Sequence, residues 1–171
     1  MAADRNAFKI RVGGGPEFVF ENLLVSSGAA GTIAAGSPVK AADAATAATG
    51  AVVPMVDGDG AQGQNFVGIA KTDSTDTAAA AGAVDVWMPL PGIIYQGVTK
   101  TSTDANTAAL VQALFRKRVV FDLSSTTWSV DSGASDALIN AVTIIGGDYR
   151  TYNIFFTYRY NATVLGQRAT S

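Results

Sequence analysis

The chain has 171 residues and contains neither histidine nor cysteine. Imidazole and thiolate are the groups through which most small proteins act as bases, nucleophiles or metal ligands near neutral pH. Without them, catalysis has to rest on carboxylates, lysines and hydroxyls, and no pre-set cluster of these groups stands out in the sequence. Disulfides are excluded as well. The composition therefore predicts a structural or binding protein, not an enzyme, and one that needs no cofactor.

Charge is also scarce. Only 15% of the residues are charged, the net charge is −2 and the sequence pI is about 4.9. This balance argues against extensive binding to nucleic acid or to an acidic membrane. The mean hydropathy is +0.22, although no segment is long and apolar enough to explain that value by a membrane span. A surface with so few charges predicts that part of it is covered by copies of the same chain or by a partner.

Long apolar segments are missing too. The first ten residues lack an apolar run followed by a small-residue cleavage site, so we expect no secretory signal. Residues 28–50 are mostly alanine, glycine and threonine, and they include Pro38, Lys40 and Asp43, which excludes a transmembrane helix. This stretch could form a poor helix or loops with short strands, and its glycines and proline favour the loops and strands. We expect a protein made and assembled in a cytosol.

The length corresponds to one domain, which can bury roughly 70% of its unfolded surface. Residues 1–7 are small and polar and predict a flexible N-terminal arm. Residues 8–166 are interpreted as a single β-rich domain with a candidate sub-boundary near residue 100. Residues 167–171 are polar and predict a frayed C-terminus.

Short strands dominate the domain. Apolar residues alternate with charged ones between Phe8 and Val12, which is typical of a half-buried strand. Further short β-branched or aromatic runs are separated by turns rich in glycine and aspartate, at residues 18–20, 23–25, 52–53, 66–69, 84–87, 119–121 and 142–145. This pattern predicts a mainly β fold, a small antiparallel sandwich or barrel.

Residues 104–115 predict one short helix, capped by Ser102, Thr103 or Asp104. The basic residues that follow the helix suit the negative end of its dipole.

Gly146, Gly147 and Asp148 are good hairpin-turn material. The strand predicted after this turn places five apolar or aromatic side chains on one face, which we expect to be buried: Tyr152, Ile154, Phe156, Tyr158 and Tyr160.

The chemical motifs are weak. The glycines at 13–15 are followed by a proline and by no Gly-Lys-Ser, so we interpret them as a strand break rather than a phosphate loop. Residues 57–60 resemble the start of a calcium loop, but no glutamate closes it; an exposed turn is favoured, and a weak calcium site is left open. Glu17 and Glu21 are the only glutamates, and nothing marks a pair of carboxylates for glycoside hydrolysis.

The candidate interface residues come from three places. Trp87 and Met88 precede two prolines and are either core residues or anchors at a subunit interface. The only basic cluster could meet an acidic partner, although a solvated helix end is favoured. Together with the arm, the candidates are Asp4, Arg5, Asn6, Phe8, Trp87, Met88, Arg116, Lys117 and Arg118.

Four segments carry a resemblance to a known family: residues 36–39 (GSPV), 65–70 (NFVGIA), 82–86 (GAVDV) and 89–94. In this order they resemble the decoration, or cement, proteins of tailed-bacteriophage heads. The match covers about a third of the chain. Its motifs are turns and strands, not catalytic signatures, so no individual binding residue can be transferred.

The resemblance implies a structural virion protein, usually a homotrimer, that binds the capsid exterior and clamps neighbouring major capsid subunits. Its partners would be the major capsid protein and itself, with no nucleic acid, membrane or small-molecule substrate. In such proteins the N-terminal arm often orders on the shell. Two alternatives stay open: a phage tail-tube or tail-tip component, and a carbohydrate-binding β module that stacks sugars on Trp87, Trp128 or the tyrosines. A small carboxylate hydrolase comes last.

Overall fold

The computed structural model describes residues 8–12, 18–25, 32–42, 50–56, 66–75, 82–90, 92–124, 127–133 and 142–158. Within these residues the protein is mainly β, as predicted, with thirteen strands, a 3₁₀ helix (Ser102–Ala105) and a short α helix, α1 (Ala108–Leu114). The strands are β1 (Lys9–Val12), β2 (Val19–Leu24), β3 (Thr32–Ile33), β4 (Pro38–Ala41), β5 (Val52–Pro54), β6 (Phe66–Ala70), β7 (Ser74–Thr75), β8 (Ala83–Trp87), β9 (Ile94–Val98), β10 (Arg118–Ser124), β11 (Thr127–Asp131), β12 (Val142–Asp148) and β13 (Asn153–Tyr158).

The strands form two antiparallel sheets and one small two-stranded ladder. The larger sheet has six strands in the order β1-β9-β13-β12-β10-β11, and the smaller has five in the order β2-β8-β6-β4-β5. Strands β3 and β7 make the small ladder. Each sheet is curled by one isolated parallel bridge, Val25 to Val52 in the smaller sheet and Thr99 to Val130 in the larger. A single bridge is not a ladder, so neither sheet closes into a barrel.

The larger core lies against the six-stranded sheet and is mostly aromatic. The ring of Phe8 lies 5.1 Å from the rings of both Phe121 and Phe156, and Tyr95 stacks on Phe156 at 5.7 Å. Phe66 of the smaller sheet reaches the same cluster, 5.4 Å from Phe121. Aromatic rings at these separations are attractive beyond their buried area. This core therefore joins the two sheets and takes side chains from both sides of residue 100.

A second, smaller core fills the inside of the curled five-stranded sheet. Its fully buried members are small β-branched residues and one alanine: Val25, Ile33, Val39, Val52, Ala70, Val84 and Val86. β-Branched side chains pack well on a pleated surface and have few rotamers to lose. The segment between residues 32 and 42 therefore folds as short strands, as the sequence predicts for that part of the alanine-rich stretch.

Two glycines set how closely the strands and side chains approach. A Cβ on Gly68 in β6 would overlap the carbonyl oxygen of Trp87 and come within 2.7 Å of Val86 Cγ1. A Cβ on Gly97 in β9 would lie 2.5 Å from the ring of Phe8. Both positions require glycine because a neighbouring backbone or ring occupies the space of a side chain.

The helical segment is shorter than predicted and is broken in two. Instead of one helix over residues 104–115, the chain forms the 3₁₀ helix and then α1, with an interruption at Asn106 and Thr107. The cap of α1 is Thr107, whose hydroxyl accepts a 3.2 Å hydrogen bond from the Leu110 amide. The predicted cap residues Ser102, Thr103 and Asp104 lie within the 3₁₀ helix instead.

The hairpin turn is displaced from the predicted glycines. Gly146, Gly147 and Asp148 belong to β12, and the turn is formed by residues 149–152. The ladder between β12 and β13 shifts register between Ile144 and Gly146, where Gly146 has a φ of 158°. The glycine thus serves a β-bulge, which permits the extra residue and bends the strand.

The face predicted for the last strand is confirmed at its centre and wrong at its start. Ile154 and Phe156 are fully buried in the larger core. Tyr152 lies in the turn before β13, with φ 57°, and is exposed. The side chain of Tyr158, and Tyr160, lie outside the described residues.

Candidate interaction surface

The described residues offer little for chemistry. No group of three or more carboxylates among them is arranged to hold a metal ion. None of the helices in the described part of the chain is long and apolar enough to cross a membrane. Glu21 is exposed on β2, whereas Glu17 and the calcium-like residues 57–60 lie outside the described ranges.

A charged cluster lies where β9 ends beside β10 and β11. The Lys100 ammonium is 2.7 Å from the Asp122 carboxylate and 3.1 Å from the Asp131 carboxylate. Hydrogen bonds to these two carboxylates raise the pKa of Lys100 above its usual value, because both favour the charged amine. An amine held in its charged form is a poor nucleophile or base. The cluster therefore ties three strands together and does not form a reactive site.

A neighbouring set of polar contacts holds the 3₁₀ helix to the end of β11. The Ser132 hydroxyl donates to the Asp104 carboxylate, and the Lys117 ammonium donates to the Ser132 carbonyl at 2.7 Å. Asp131 also accepts a 2.9 Å hydrogen bond from the Gly133 amide, which closes the turn after the strand. These groups are committed to the fold.

The three residues of the basic cluster differ in their surroundings. Arg116 lies in the turn after α1, exposed and with φ 66°. Lys117 is held by Ser132, and Arg118 begins β10 and is half-buried. Arg116 and Lys117 are both exposed before the sheet begins, whereas Arg118 is half-buried at the start of β10.

The Trp87–Met88 segment is held to the core. Trp87 is half-buried and packs against the larger core at the end of β8. The Met88 amide donates to the Phe18 carbonyl at 2.8 Å, and the Met88 carbonyl accepts from the buried Tyr95 hydroxyl at 2.9 Å. Burial raises the pKa of Tyr95, so this hydroxyl stays protonated and keeps donating. The segment is an anchor for the chain leaving β8.

Among the remaining candidates, Phe8 is a core residue. Its side chain is 1% exposed and packs between Phe121, Phe156 and Gly97. It is therefore not presented to a partner on the surface of this chain. The arm residues Asp4, Arg5 and Asn6 lie outside the described residues.

The structure places a pocket of about 300 Å³ between α1 and the β12–β13 hairpin. Its lining is mostly apolar and comprises Ala108, Val111, Gln112, Phe115, Gly146, Gly147 and Tyr149. The floor is glycine because α1 packs directly on β12: a Cβ on Gly147 would lie 3.1 Å from Val111. We call these lining residues the helix–hairpin pocket.

The rim of the helix–hairpin pocket combines exposed aromatic rings with arginines. Phe115 is 55% exposed, and Tyr149 is exposed as well. Arg116 directly follows Phe115, and Arg150 directly follows Tyr149 with its guanidinium 5.7 Å from that ring. The pocket therefore offers an apolar surface beside two positive charges.

The backbone around Phe115 is fixed in an unusual conformation. Arg116 occupies the left-handed region, which costs a non-glycine residue about 1 kcal/mol or more. Hydrogen bonds from the Arg116 amide to the Ile144 carbonyl (2.8 Å) and from the Lys117 amide to the Leu114 carbonyl (2.9 Å) hold it there. This turn keeps Phe115 at the surface while Leu114, its neighbour, is buried.

A second exposed apolar surface lies on β2, an outer strand of the five-stranded sheet. Its burial pattern leaves Phe20, Glu21, Asn22 and Leu24 exposed. The ladder with β8 shifts register between Phe20 and Leu23, and the Asn22 amide donates to the Asp85 carboxylate at 3.0 Å. We call the exposed side chains of Phe20, Glu21 and Leu24 the β2 edge.

The sequence pointed to neither surface. The apolar runs 18–20 and 23–25 predict strands, but nothing in them shows the bulge at Asn22, which pairs Phe20 with Val86 and Leu24 with Ala83 and so places Phe20 and Leu24 on opposite faces of the sheet. Phe115 is predicted to lie on the apolar side of the helix, and its exposure depends on the turn at Arg116. One sequence feature does mark the pocket: an arginine directly follows each of its two aromatic residues, Phe115 and Tyr149.

Comparison with known proteins adds no relative: no protein-family model, curated protein or solved structure matches the chain. The two surfaces above are therefore interpreted from their own geometry.

Proposed function

We propose that this chain is a structural virion protein that binds the outer surface of a tailed-phage capsid and stabilises contacts between major capsid subunits. In this role it is a homotrimer that is assembled in the host cytoplasm and resides on the capsid exterior. The resemblance of residues 36–39, 65–70, 82–86 and 89–94 to decoration proteins names the family, and a mainly β fold agrees with it.

The observation that carries the proposal is the set of large apolar side chains left exposed on a well-packed β domain. Among the described residues these are Phe20, Leu24, Val56, Leu110, Phe115, Tyr149 and Tyr152. Phe115 and Tyr149 are grouped at the helix–hairpin pocket, and Phe20 and Leu24 lie on the two faces of β2. Grouped apolar exposure on a sparsely charged chain marks surfaces that a neighbour covers.

A decoration role also suits weak individual contacts. Many copies bound to one lattice, each engaging more than one subunit, give a large combined stabilisation even when one contact is modest. The charged groups among the described residues contribute to the fold itself. The Lys100 cluster and the Lys117–Ser132 contact hold together the module that would bind the capsid.

The test is reconstitution on capsids of the phage whose genome encodes the chain, prepared without this protein. The purified chain is expected to co-sediment with these capsids at a saturating, lattice-defined ratio and to raise the temperature at which they release DNA. Serum albumin at the same concentration is the control for trapping. No saturable co-sedimentation, together with an unchanged release temperature, would overturn the proposal.

A carbohydrate-binding module is the second candidate, because exposed aromatic rings border a pocket of ligand size. Tyr149 and Phe115 could stack on sugar faces, whereas Trp128 is only 5% exposed and cannot. Glycan-array binding that is lost in Tyr149→Ala but kept in Tyr152→Ala would support this candidate. Silence on the array would exclude it for the glycans tested.

A further inference from the structure

We infer that the β2 edge of one copy docks into the helix–hairpin pocket of the next copy, so that the protein self-associates head to tail. This inference deepens the proposed function, on whose self-association it rests. It commits both exposed apolar surfaces of the described chain to one interface.

The two surfaces are complementary in kind. The β2 edge lies on an outer strand where Phe20 and Leu24 point to opposite faces of the sheet, and Leu24, which is 56% exposed, is the protruding apolar side chain that the pocket would receive. The helix–hairpin pocket is a concave apolar site of about 300 Å³ with a glycine floor. A protruding large side chain that enters an apolar pocket is the usual centre of a stable protein interface.

The charges agree with this pairing. Glu21 is exposed on the β2 edge, between Phe20 and Leu24 in the sequence. Arg116 and Arg150 flank the aromatic rim of the pocket. Opposite charges at the rim of an apolar contact favour the correct partner and fix the docking register. Two pocket faces, or two edges, would bring like charges together.

The geometry of the chain makes the contact heterologous. The β2 edge belongs to the five-stranded sheet and the pocket to α1 and the six-stranded sheet, so one copy uses different surfaces toward its two neighbours. A contact of this kind repeats from copy to copy until it closes into a ring or extends as a filament. Closure after three copies would give the homotrimer of the proposed function.

The experiment uses three variants with equally exposed apolar residues. Leu24→Arg disables the edge, Phe115→Arg disables the pocket, and Val56→Arg lies on neither surface; the original side chains are 56%, 55% and 54% exposed. Masses are measured by light scattering on a sizing column, after circular dichroism and thermal unfolding have shown that each variant is folded. We expect an oligomer for the wild type and for Val56→Arg, and a single-chain mass for Leu24→Arg and Phe115→Arg.

The decisive measurement mixes the two disabled variants in equal amounts. Each retains the surface that the other lacks, so a head-to-tail contact gives a two-chain species that neither variant forms alone. An isologous contact recovers nothing. A mixture that stays single-chain, or Leu24→Arg and Phe115→Arg proteins that keep the wild-type mass, overturns the inference.

The charge pairing has its own test. Glu21→Arg is expected to weaken self-association at least tenfold, and combining it with Arg116→Glu and Arg150→Glu in the same chain is expected to restore most of the loss. Failure of the triple variant to recover contradicts the assigned pairing of faces. These assays contain no capsid: a single-chain wild type that still binds capsids refutes the contact alone, and an oligomer that binds none refutes the function alone.

Discussion

At the level of single residues, the close approach of neighbouring strands and side chains to two glycines shapes the fold. Gly68 lets β6 pass against the Trp87 carbonyl, and Gly97 provides the flat surface on which the Phe8 ring lies. The same argument explains Phe8 itself: it follows the segment 1–7 for which the sequence predicts an arm, and it becomes the centre of an aromatic cluster because a glycine faces it. Whether a candidate interface residue is buried or exposed therefore depends on the residue that faces it, not on its side-chain type.

Replacing Gly68 with alanine is expected to destabilise the protein by about 3 kcal/mol or more, because the new Cβ overlaps a backbone carbonyl and φ is +155°. Gly50→Ala is the matched control, since Gly50 also has a positive φ, +92°, but no atom lies within 4 Å of its Cβ position. Only the conformational cost of about 1 kcal/mol applies there. Urea unfolding of both variants measures the difference, and equal losses would contradict the steric argument.

At the scale of elements, the short helix depends on its cap and on the strand beneath it. A helix of seven residues is marginal in isolation. It persists because Thr107 caps its first turn and because Val111 packs on the glycines of β12. The helix matters beyond its length, since with the hairpin it forms the helix–hairpin pocket.

Removing the cap by Thr107→Ala is expected to cost about 1 kcal/mol of folding stability and to increase amide exchange in α1. Thr101→Ala is the matched control, because Thr101 precedes the 3₁₀ helix and its side chain makes no capping hydrogen bond. Urea unfolding and hydrogen exchange by mass spectrometry check both effects. Should the two variants behave alike, the Thr107 hydroxyl would not be the cap that holds the helix.

At the scale of the whole molecule, the described chain is one aromatic core shared by two sheets, with a smaller aliphatic core inside the second sheet. The protonation of two side chains stabilises the fold at neutral pH, and this stabilisation is lost at alkaline pH. Both groups with raised pKa values, Tyr95 and Lys100, hold protons in the folded state that the unfolded chain releases near their ordinary values.

Stability is therefore expected to fall as the pH rises above about 10, the ordinary pKa of tyrosine and lysine. The reason is that the unfolded state then binds fewer protons than the folded state. Tyr95→Phe should remove about one proton, or about 1.4 kcal/mol per pH unit, from this slope. It should also cost about 1 kcal/mol at pH 7 through the lost hydrogen bond to Met88.

Urea unfolding of the wild type, Tyr95→Phe and Lys100→Met between pH 7 and 11.5, in roughly half-unit steps, measures these slopes. Lys100→Met is expected to flatten the alkaline decline as well, since its ammonium is held by Asp122 and Asp131. An unchanged alkaline slope in both variants would show that neither proton is coupled to folding.

The fold class and most strand positions could be predicted from the amino-acid sequence, because period-two alternation and glycine-rich turns are local signals. The sequence predicts a strand over residues 8–12, where β1 spans Lys9–Val12, and strands at the 66–69 and 84–87 runs, where β6 and β8 lie. The sequence also limits possible catalytic groups to carboxylates, hydroxyls and basic residues. In the structure, groups of these types hold strands together, as at Lys100, Asp122 and Asp131.

Which apolar residues are exposed depends on the three-dimensional packing and could not be predicted from the sequence. Phe8 and Phe115 are both large apolar residues of predicted secondary-structure elements. Phe8 is buried by strands that are distant in the chain, whereas Phe115 is exposed next to Arg116, whose backbone is in the left-handed region. The hairpin turn moved from Gly146 to residues 149–152 for a similar reason: pairing with β13 extends β12 through the glycines and places a bulge there. Side-chain exposure and strand register depend on long-range strand pairing, and no local sequence pattern specifies that pairing.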